Sequence, residues 1–249
     1  MIELTASDGH KFPAYRADPA EAPKGAVIVL QDMLGIDAHT TEATDKFAAQ
    51  GYVAIAPSLI ERVTANAGDK ASAADASDLM NAGAESALLD IQAVIDAVKD
   101  AGKVAIVGYS AGGTLAYLAS NRLKGLACTI AYYGRGIVDD YGEKRRIPTL
   151  IHFSESDGQV PMEKIIQFRA RRPDVSAFTY PAGPGFDCSD GESLDEESSA
   201  RALERTLFWI SQYVVGQPPI LLKNSGAYAA AKTEKKKKPA KAAADDGPP

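Results

Sequence analysis

The segment from Val104 to Ser120 reads VAIVGYSAGGTLAYLAS, and it decides the fold of this chain. Its first residues form a continuous apolar run, which is typical of a strand buried on both faces of a parallel sheet. Its last residues have the composition of a helix, and the short turn GYSAG, Gly108 to Gly112, separates the two. A serine between a buried strand and a helix, with glycine two positions away on each side, predicts the tight turn called a nucleophile elbow.

Similar alternation of strand and helix patterns extends over most of the chain. Short apolar runs predict strands at residues 25–30, 52–57, 103–108, 126–134, 149–154 and 175–180, after two strands at 2–6 and 11–17. Helical spacing is found at residues 41–51, 86–102, 111–122, 161–172 and 203–214, and the alanine-rich stretch 63–84 is predicted to be a loop with a short helix. This order predicts an α/β fold with a mostly parallel sheet and helices on both faces.

Composition and charge divide the chain into a body and a tail. The 249 residues carry a net charge of −6. From Lys223 onward there are seven lysines and three acids, or +4, so the preceding residues carry −10. We expect one domain at residues 1–216, and a lysine-rich tail at 217–249 that lacks the apolar residues needed to fold. An acidic body predicts no specific nucleic-acid partner.

The sequence also predicts where the chain resides. No apolar run approaches the roughly 18 residues that a membrane helix needs, and the first residues lack the pattern of a secretory signal. We therefore expect a cytoplasmic protein without a membrane partner. Cys128 and Cys188 lack the spacing of metal ligands, so no metal site is predicted, and both are expected to be small buried apolar residues.

The elbow serine, Ser110, predicts nucleophilic chemistry that needs two further groups. A serine hydroxyl becomes nucleophilic when a base accepts its proton and an acid orients that base. The acid candidate is Asp157, in the segment HFSESDGQVP and just past the strand 149–154, although an Asp-Gly pair is also a common turn former. The histidine is expected after the strand 175–180. The loop there is PAGPGF, and no histidine follows His152.

Residues 1 to about 215 resemble the dienelactone hydrolase family. The resemblance rests on QDMLGIDAH at residues 31–39, GYVAIAPSLIERV at 51–63, GYSAGGTLAYLA at 108–119, HFSESDGQVP at 152–161 and YPAGPGFDC at 180–188. It implies an α/β-hydrolase fold and the opening of a lactone ring without a cofactor, usually by a cysteine, an aspartate and a histidine. By this resemblance Ser110 takes the nucleophile position and Asp157 the acid position. The backbone amides of Met33 and Ala111 form the oxyanion hole.

Two positions depart from the family pattern. Pro184 stands where the family has its histidine, and the acidic segment DCSDGESLDEE lacks the arginine that grips a substrate carboxylate. Among candidate substitute bases, Asp32 lies beside the nucleophile by resemblance, and a carboxylate in apolar surroundings can accept a proton. A water molecule between Ser110 and Asp157 is another route. His39, at the start of a helix, is a weaker candidate than Asp32.

These observations leave three hypotheses open. The first is an ester or lactone hydrolase with a serine nucleophile and reduced activity, because the triad histidine is missing. The second is a non-catalytic relative that binds a small ester, lactone or acyl ligand in the same pocket. The third is a recent replacement or a sequence error at position 184, since proline and histidine codons differ by one base. The sequence predicts neither a substrate nor an oligomeric state. His10 is expected to lie far from the site, and His152 in the core.

Overall fold

The computed structural model describes residues 1–30, 35–59, 76–139, 145–188 and 193–216, and for residues 76–82 it describes the backbone alone. These residues contain eight strands: β1 (Ile2–Thr5), β2 (Lys11–Ala17), β3 (Ala26–Leu30), β4 (Val53–Pro57), β5 (Val104–Tyr109), β6 (Leu126–Tyr132), β7 (Thr149–Ser154) and β8 (Ser176–Tyr180). All eight predicted strands are confirmed.

The helices follow the strands in the predicted order. They are α1 (Ala38–Ala49), α2 (Ala76–Val98), α3 (Ala111–Arg122), α4 (Met162–Arg171) and α5 (Glu196–Ile210), with 3₁₀ turns at Lys99–Ala101 and Arg135–Asp139 and a π-helical turn at Ser211–Val215. The predicted start of α2 near residue 86 is wrong, because the helix begins ten residues earlier. Its first turns are rich in alanine, which favours helix but gives no clear apolar period.

The eight strands form one sheet in the order β1-β2-β4-β3-β5-β6-β7-β8. The pairs β1–β2 and β2–β4 are antiparallel, and all pairs from β4 to β8 are parallel. A mostly parallel sheet with helices on both faces is the predicted fold class, which the structure confirms. Residues Met1–Gly216 form one compact unit. The predicted tail, 217–249, lies outside the described residues.

The central strand β5 contributes to the core on both faces of the sheet. Side chains alternate along a strand, so Val104 and Ile106 face one side while Val107 and Tyr109 face the other. The first face packs against α2 and α3, and the second against α1 and α5. All six residues of β5 are buried, as the apolar run predicts. In the described part of the chain, no helix has the length and apolar character needed to cross a membrane.

The turn from β5 into α3 brings backbone against backbone. A Cβ atom on Gly108 would lie 2.1 Å from the carbonyl oxygen of Gly112. One on Gly113 would lie 2.7 Å from the carbonyl oxygen of Tyr132 in the neighbouring strand. Both distances are below ordinary contact distances, so only glycine fits at these two positions. This packing fixes where α3 begins relative to the sheet.

His152 lies in β7 with its side chain fully buried, as expected for a core histidine. Its Nδ1 is 2.8 Å from the Tyr180 hydroxyl, and its Nε2 is 3.0 Å from Thr206 Oγ1 on α5. Both ring nitrogens therefore have partners inside the protein. Burial, and then the positive charge of Arg205, lowers the pKa of His152 to about 3.

We predict that Gly108→Ala lowers the free energy of unfolding by about 3 kcal/mol, because the new methyl group meets a backbone carbonyl that cannot rotate away. This corresponds to a loss of roughly 6–12 °C in Tm for a domain of this size. The control is Gly158→Ala, where no atom lies within 4 Å of the added Cβ and φ is outside the left-handed region. Equal Tm values for the two variants, by calorimetry, would contradict the packing described above.

We predict that His152 makes the protein less stable as pH falls below about 6.5. In that range the unfolded chain binds a proton at this side chain, whereas the folded protein stays neutral down to about pH 3. The pKa is lowered in the folded state, so the free energy of unfolding decreases with decreasing pH. In His152→Gln that dependence should be shallower by up to about 1.4 kcal/mol per pH unit.

Urea unfolding at a series of pH values from 7.5 to 4.5 measures this difference. The variant should be less stable than the wild type near pH 7.5, where the two curves run parallel, and the gap should narrow on acidification. Curves that stay parallel down to pH 4.5 would show that His152 titrates normally in the folded protein.

Candidate active site

Ser110 occupies the sharp turn between β5 and α3. Its backbone angles, φ 53° and ψ −117°, lie in a region that residues other than glycine seldom adopt. The turn is held by the Ser110 amide, which donates to the Tyr132 carbonyl at 3.0 Å, and by Thr114 N, which donates to the Ser110 carbonyl at 3.2 Å. The side chain is partly exposed, and its hydroxyl makes no hydrogen bond to the residues that the structure describes. The predicted elbow geometry is present.

The amide of Ala111 is the first of helix α3. The first amides of a helix have no acceptor within the helix and carry a partial positive charge, so this amide can hold a developing oxyanion. The other expected donor, the amide of Met33, and the candidate base Asp32 lie in residues 31–34, outside the described residues. Their roles stay predictions.

Asp157 lies in the loop after β7 and is 6% exposed. Its Oδ1 accepts a hydrogen bond of 2.9 Å from the amide of Gln159, which is also what a turn-forming aspartate does. Its Oδ2 is 3.5 Å from Nε of Arg135, a residue that sequence reasoning did not single out. The predicted acid therefore faces a guanidinium. Arg135 belongs to the 3₁₀ turn after β6, and no motif indicated that it would reach Asp157.

The loop that carries Pro184 is anchored on both sides of that residue. Upstream, Ser156 N donates to the Ala182 carbonyl at 3.2 Å, which ties the loop to the segment of Asp157. Downstream, Phe186 is fully buried, and its carbonyl accepts from Asp195 N at 2.9 Å. The Pro184 side chain has no proton acceptor. The loop is thus present and attached, but it supplies no base.

The three histidines of the chain lie in different surroundings, and none of them stands at position 184. His152 is in the core, and His10, between β1 and β2, bonds through Nδ1 to Asp90 at 3.2 Å. His39, in the first turn of α1, packs edge-on against Tyr109, the residue before Ser110, with ring centroids 5.1 Å apart. Interaction with Asp187 first, and with Cys188 second, raises the pKa of His39 to about 10, against burial that lowers it. An imidazole that is protonated at neutral pH cannot accept the serine proton.

A second polar cluster lies beside the elbow and consists of His39, Asp187 and Cys188. His39 Nε2 is 3.7 Å from Asp187 Oδ2, and one ligand-type atom from each of the three residues lies within 4.8 Å of the others. The sequence contains no signal for this cluster, because 148 positions separate His39 from Asp187.

The prediction that both cysteines are buried apolar residues is confirmed for one of them. Cys128 is fully buried in β6, and burial raises the pKa of its thiol to about 12. Cys188 is partly exposed and has polar neighbours, so the prediction for it is wrong. The physical reason is a turn between Gly185 and Cys188, in which the Cys188 amide donates to the Gly185 carbonyl at 3.0 Å. Phe186 enters the core from this turn, and Cys188 is left partly exposed.

Comparisons with known proteins agree with this architecture. The model of the dienelactone hydrolase family matches residues 12–214. A carboxymethylenebutenolidase of Pseudomonas putida is 28% identical over 226 residues, covering 84% of this chain and 95% of that protein. A Yersinia pestis protein provisionally given the same name is 29% identical over 245 residues, covering 86% and 88%.

A solved structure has the same fold over nearly its whole length. It is a Klebsiella pneumoniae protein provisionally named a dienelactone hydrolase, with a TM-score of 0.73 and 24% identity, covering 85% of this chain and 98% of that one. The family model spans the described sheet from β2 to the end of the helical segment after β8. The elbow at Ser110 and the acid loop at Asp157 both fall within it. This chain belongs to the dienelactone hydrolase family.

Proposed function

We propose that this chain is a slow ester or lactone hydrolase that uses Ser110 as its nucleophile. The observation that carries the proposal is the backbone of Ser110. A strained conformation costs about 1–3 kcal/mol and persists where the surrounding structure enforces it, and here it presents a hydroxyl without a partner among the described residues. Family membership and the names of the relatives indicate hydrolase chemistry, which agrees with this geometry.

The geometry suits acyl transfer. The Ser110 oxygen would attack the carbonyl carbon of the substrate, while the Ala111 amide holds the oxyanion that forms. The hydroxyl proton passes to a base, and the carbonyl re-forms as the alcohol or ring oxygen leaves and takes up a proton. Water then cleaves the acyl-enzyme by the same route. Among the residues that the structure describes, we assign no group as the proton acceptor in these steps.

The absence of a histidine at position 184 determines how fast we expect ester turnover to be. In serine proteases, removal of the catalytic histidine costs about 10⁶-fold in turnover, and the oxyanion hole with substrate binding retains about 10³–10⁴-fold acceleration over water. We therefore expect slow turnover of reactive esters. A water molecule in the space left at Pro184, or the carboxylate of Asp32, would take the proton in place of the imidazole.

The pairing of Asp157 with Arg135 favours a second candidate function. An acid that orients a histidine needs a free oxygen for it, and Arg135 now stands 3.5 Å from Asp157 Oδ2. The Arg135 guanidinium, which is partly exposed, is also suited to bind a carboxylate, since arginine recognises carboxylates by paired hydrogen bonds. A site that contains this arginine and lacks a base could bind an ester, lactone or acyl ligand without hydrolysing it.

We expect Ser110→Ala to abolish hydrolysis of an activated aryl ester, because it removes the nucleophile that the elbow presents. The matched control is Ser156→Ala, which removes an exposed serine next to Asp157 and should leave the rate within about twofold. Rates are measured with purified full-length protein, with folding checked by circular dichroism. Unchanged hydrolysis in a folded Ser110→Ala protein would assign the activity to another site.

We expect Pro184→His to raise ester turnover at least about 10²-fold. The anchored loop would bring an imidazole near Ser110, although a displacement of about 1 Å can cost on the order of 10²-fold in rate. A new dependence on pH near 6 to 7 should accompany the gain, because the neutral imidazole is the active form. Assays of the hydrolysis rate of the same aryl ester at several pH values measure both the gain in turnover and its dependence on pH.

The control for this substitution is Pro184→Gln, which relaxes the backbone in the same way but adds no base. Its turnover should remain at the wild-type level. The gain in Pro184→His should disappear when Ser110→Ala is added and should fall steeply when Asp157→Asn is added. A folded Pro184→His protein that shows no gain while binding small esters would favour the ligand-binding function.

A further inference from the structure

We propose that His39, Asp187 and Cys188 form a binding site for a divalent transition-metal ion of the zinc type. These side chains offer an imidazole nitrogen, a carboxylate oxygen and a sulfur, the three ligand types that zinc uses in proteins. In the described parts of the chain, this is the one place where three such groups meet within 4.8 Å. The proposal does not depend on Ser110 or on catalysis at the elbow.

The distances fit a tetrahedral ion after a small adjustment. Ligand bonds of about 2.0–2.3 Å at tetrahedral angles place neighbouring ligand atoms about 3.3–3.7 Å apart. His39 Nε2 and Asp187 Oδ2 are already 3.7 Å apart. The widest separation within the cluster, at most 4.8 Å, must close by about 1 Å, which small rotations of the side chains achieve.

Neighbouring residues hold two of the ligands in place. The Tyr133 hydroxyl donates a hydrogen bond of 2.7 Å to Asp187 Oδ1, which leaves Oδ2 towards His39. His39 is held in the first turn of α1, whose start is capped by Asp37 accepting from Thr40 N at 2.8 Å. Metal-binding carboxylates are commonly oriented by such a hydrogen bond on the other oxygen.

The charges of the cluster suit a divalent ion with a sulfur ligand. A thiolate and a carboxylate together neutralise two positive charges, and the ion displaces the proton of the imidazole, which binds in its neutral form. Lys46 lines the cavity that adjoins His39 and Asp187, and its ammonium is paired with Glu42 at 3.8 Å. A sulfur ligand favours Zn²⁺ or Co²⁺ over Mg²⁺ or Ca²⁺, which prefer oxygen.

The cluster also has space for a fourth ligand. A cavity of about 40 Å³ adjoins His39 and Asp187 and is lined on its other sides by Lys46, Phe47, Tyr109 and Tyr132, among others. One water molecule needs about 10–15 Å³ of such volume, so the cavity can hold it. Side chains that are 15% and 12% exposed, for His39 and Asp187, leave a path by which an ion enters. Three protein ligands and one water is the coordination of an open zinc site.

Cobalt titration of the full-length protein, freed of metal by a chelator, tests this proposal. We expect one Co²⁺ per chain, a thiolate-to-cobalt charge-transfer band in the near ultraviolet, and the visible bands of a tetrahedral ion. Added Zn²⁺ should remove these bands, and Zn²⁺ should raise Tm because it binds only the folded site. No thiolate band at millimolar Co²⁺ would overturn the proposal.

Variants distinguish metal binding at this cluster from nonspecific metal binding elsewhere on the protein. Cys188→Ser should eliminate the charge-transfer band, and His39→Gln should weaken binding at least about 10²-fold. Tyr133→Phe, which removes only the hydrogen bond to Asp187, should weaken it by about 10-fold. Cys128→Ala is the control, because this buried thiol lies outside the cluster and its loss should leave the bands intact.

The outcomes are decisive even if one variant does not fold. Equal Zn²⁺ affinity in the wild type and a folded Cys188→Ser protein would overturn the proposal, as would bands that persist in that protein. If Cys188→Ser is unfolded by circular dichroism, His39→Gln and Tyr133→Phe supply the same comparison. None of these experiments measures ester hydrolysis, so their result does not depend on whether Ser110 is a nucleophile.

Discussion

The close backbone contact at the β5–α3 turn is the constraint on which the rest of the structure depends. Because Gly108 and Gly113 have no side chains to collide with the nearby backbone carbonyls, the strand can turn directly into the helix. That turn holds Ser110 in its strained conformation and makes Ala111 the first residue of the helix. The central strand is buried on both faces, so the turn has no freedom to relax.

A second constraint is the aromatic packing under the loop that carries Pro184. Phe186 is fully buried and lies within 6.2 Å, centroid to centroid, of Tyr132, Tyr133 and Tyr180. These ring contacts anchor the loop two residues after Pro184. The loop is therefore attached to the core although it has proline, and not histidine, at position 184. The same packing leaves Asp187 and Cys188 partly exposed and close to His39.

The three histidines show how surroundings decide what one residue type does. Full burial and a nearby cation keep His152 neutral, and its two hydrogen bonds join β7 to β8 and α5. Interaction with Asp187, and then with Cys188, raises the pKa of His39 to about 10, although its ring packs against Tyr109, the residue before Ser110. Neither can replace an imidazole at position 184. Asp157, the predicted acid, has Arg135 as its neighbour.

The sequence by itself determined the strand order along the chain, the fold class and the elbow, because buried strands, helical periods and the glycine requirement at Gly108 are local patterns. It also showed that position 184 lacks a base. The start of α2 was not predictable, since an alanine-rich stretch has helix propensity without a period. Only the tertiary structure decided that Arg135 faces Asp157 and that His39 meets Asp187 and Cys188. Those contacts join segments far apart in the chain, and their geometry depends on how helices and loops pack above the sheet, which no local pattern encodes.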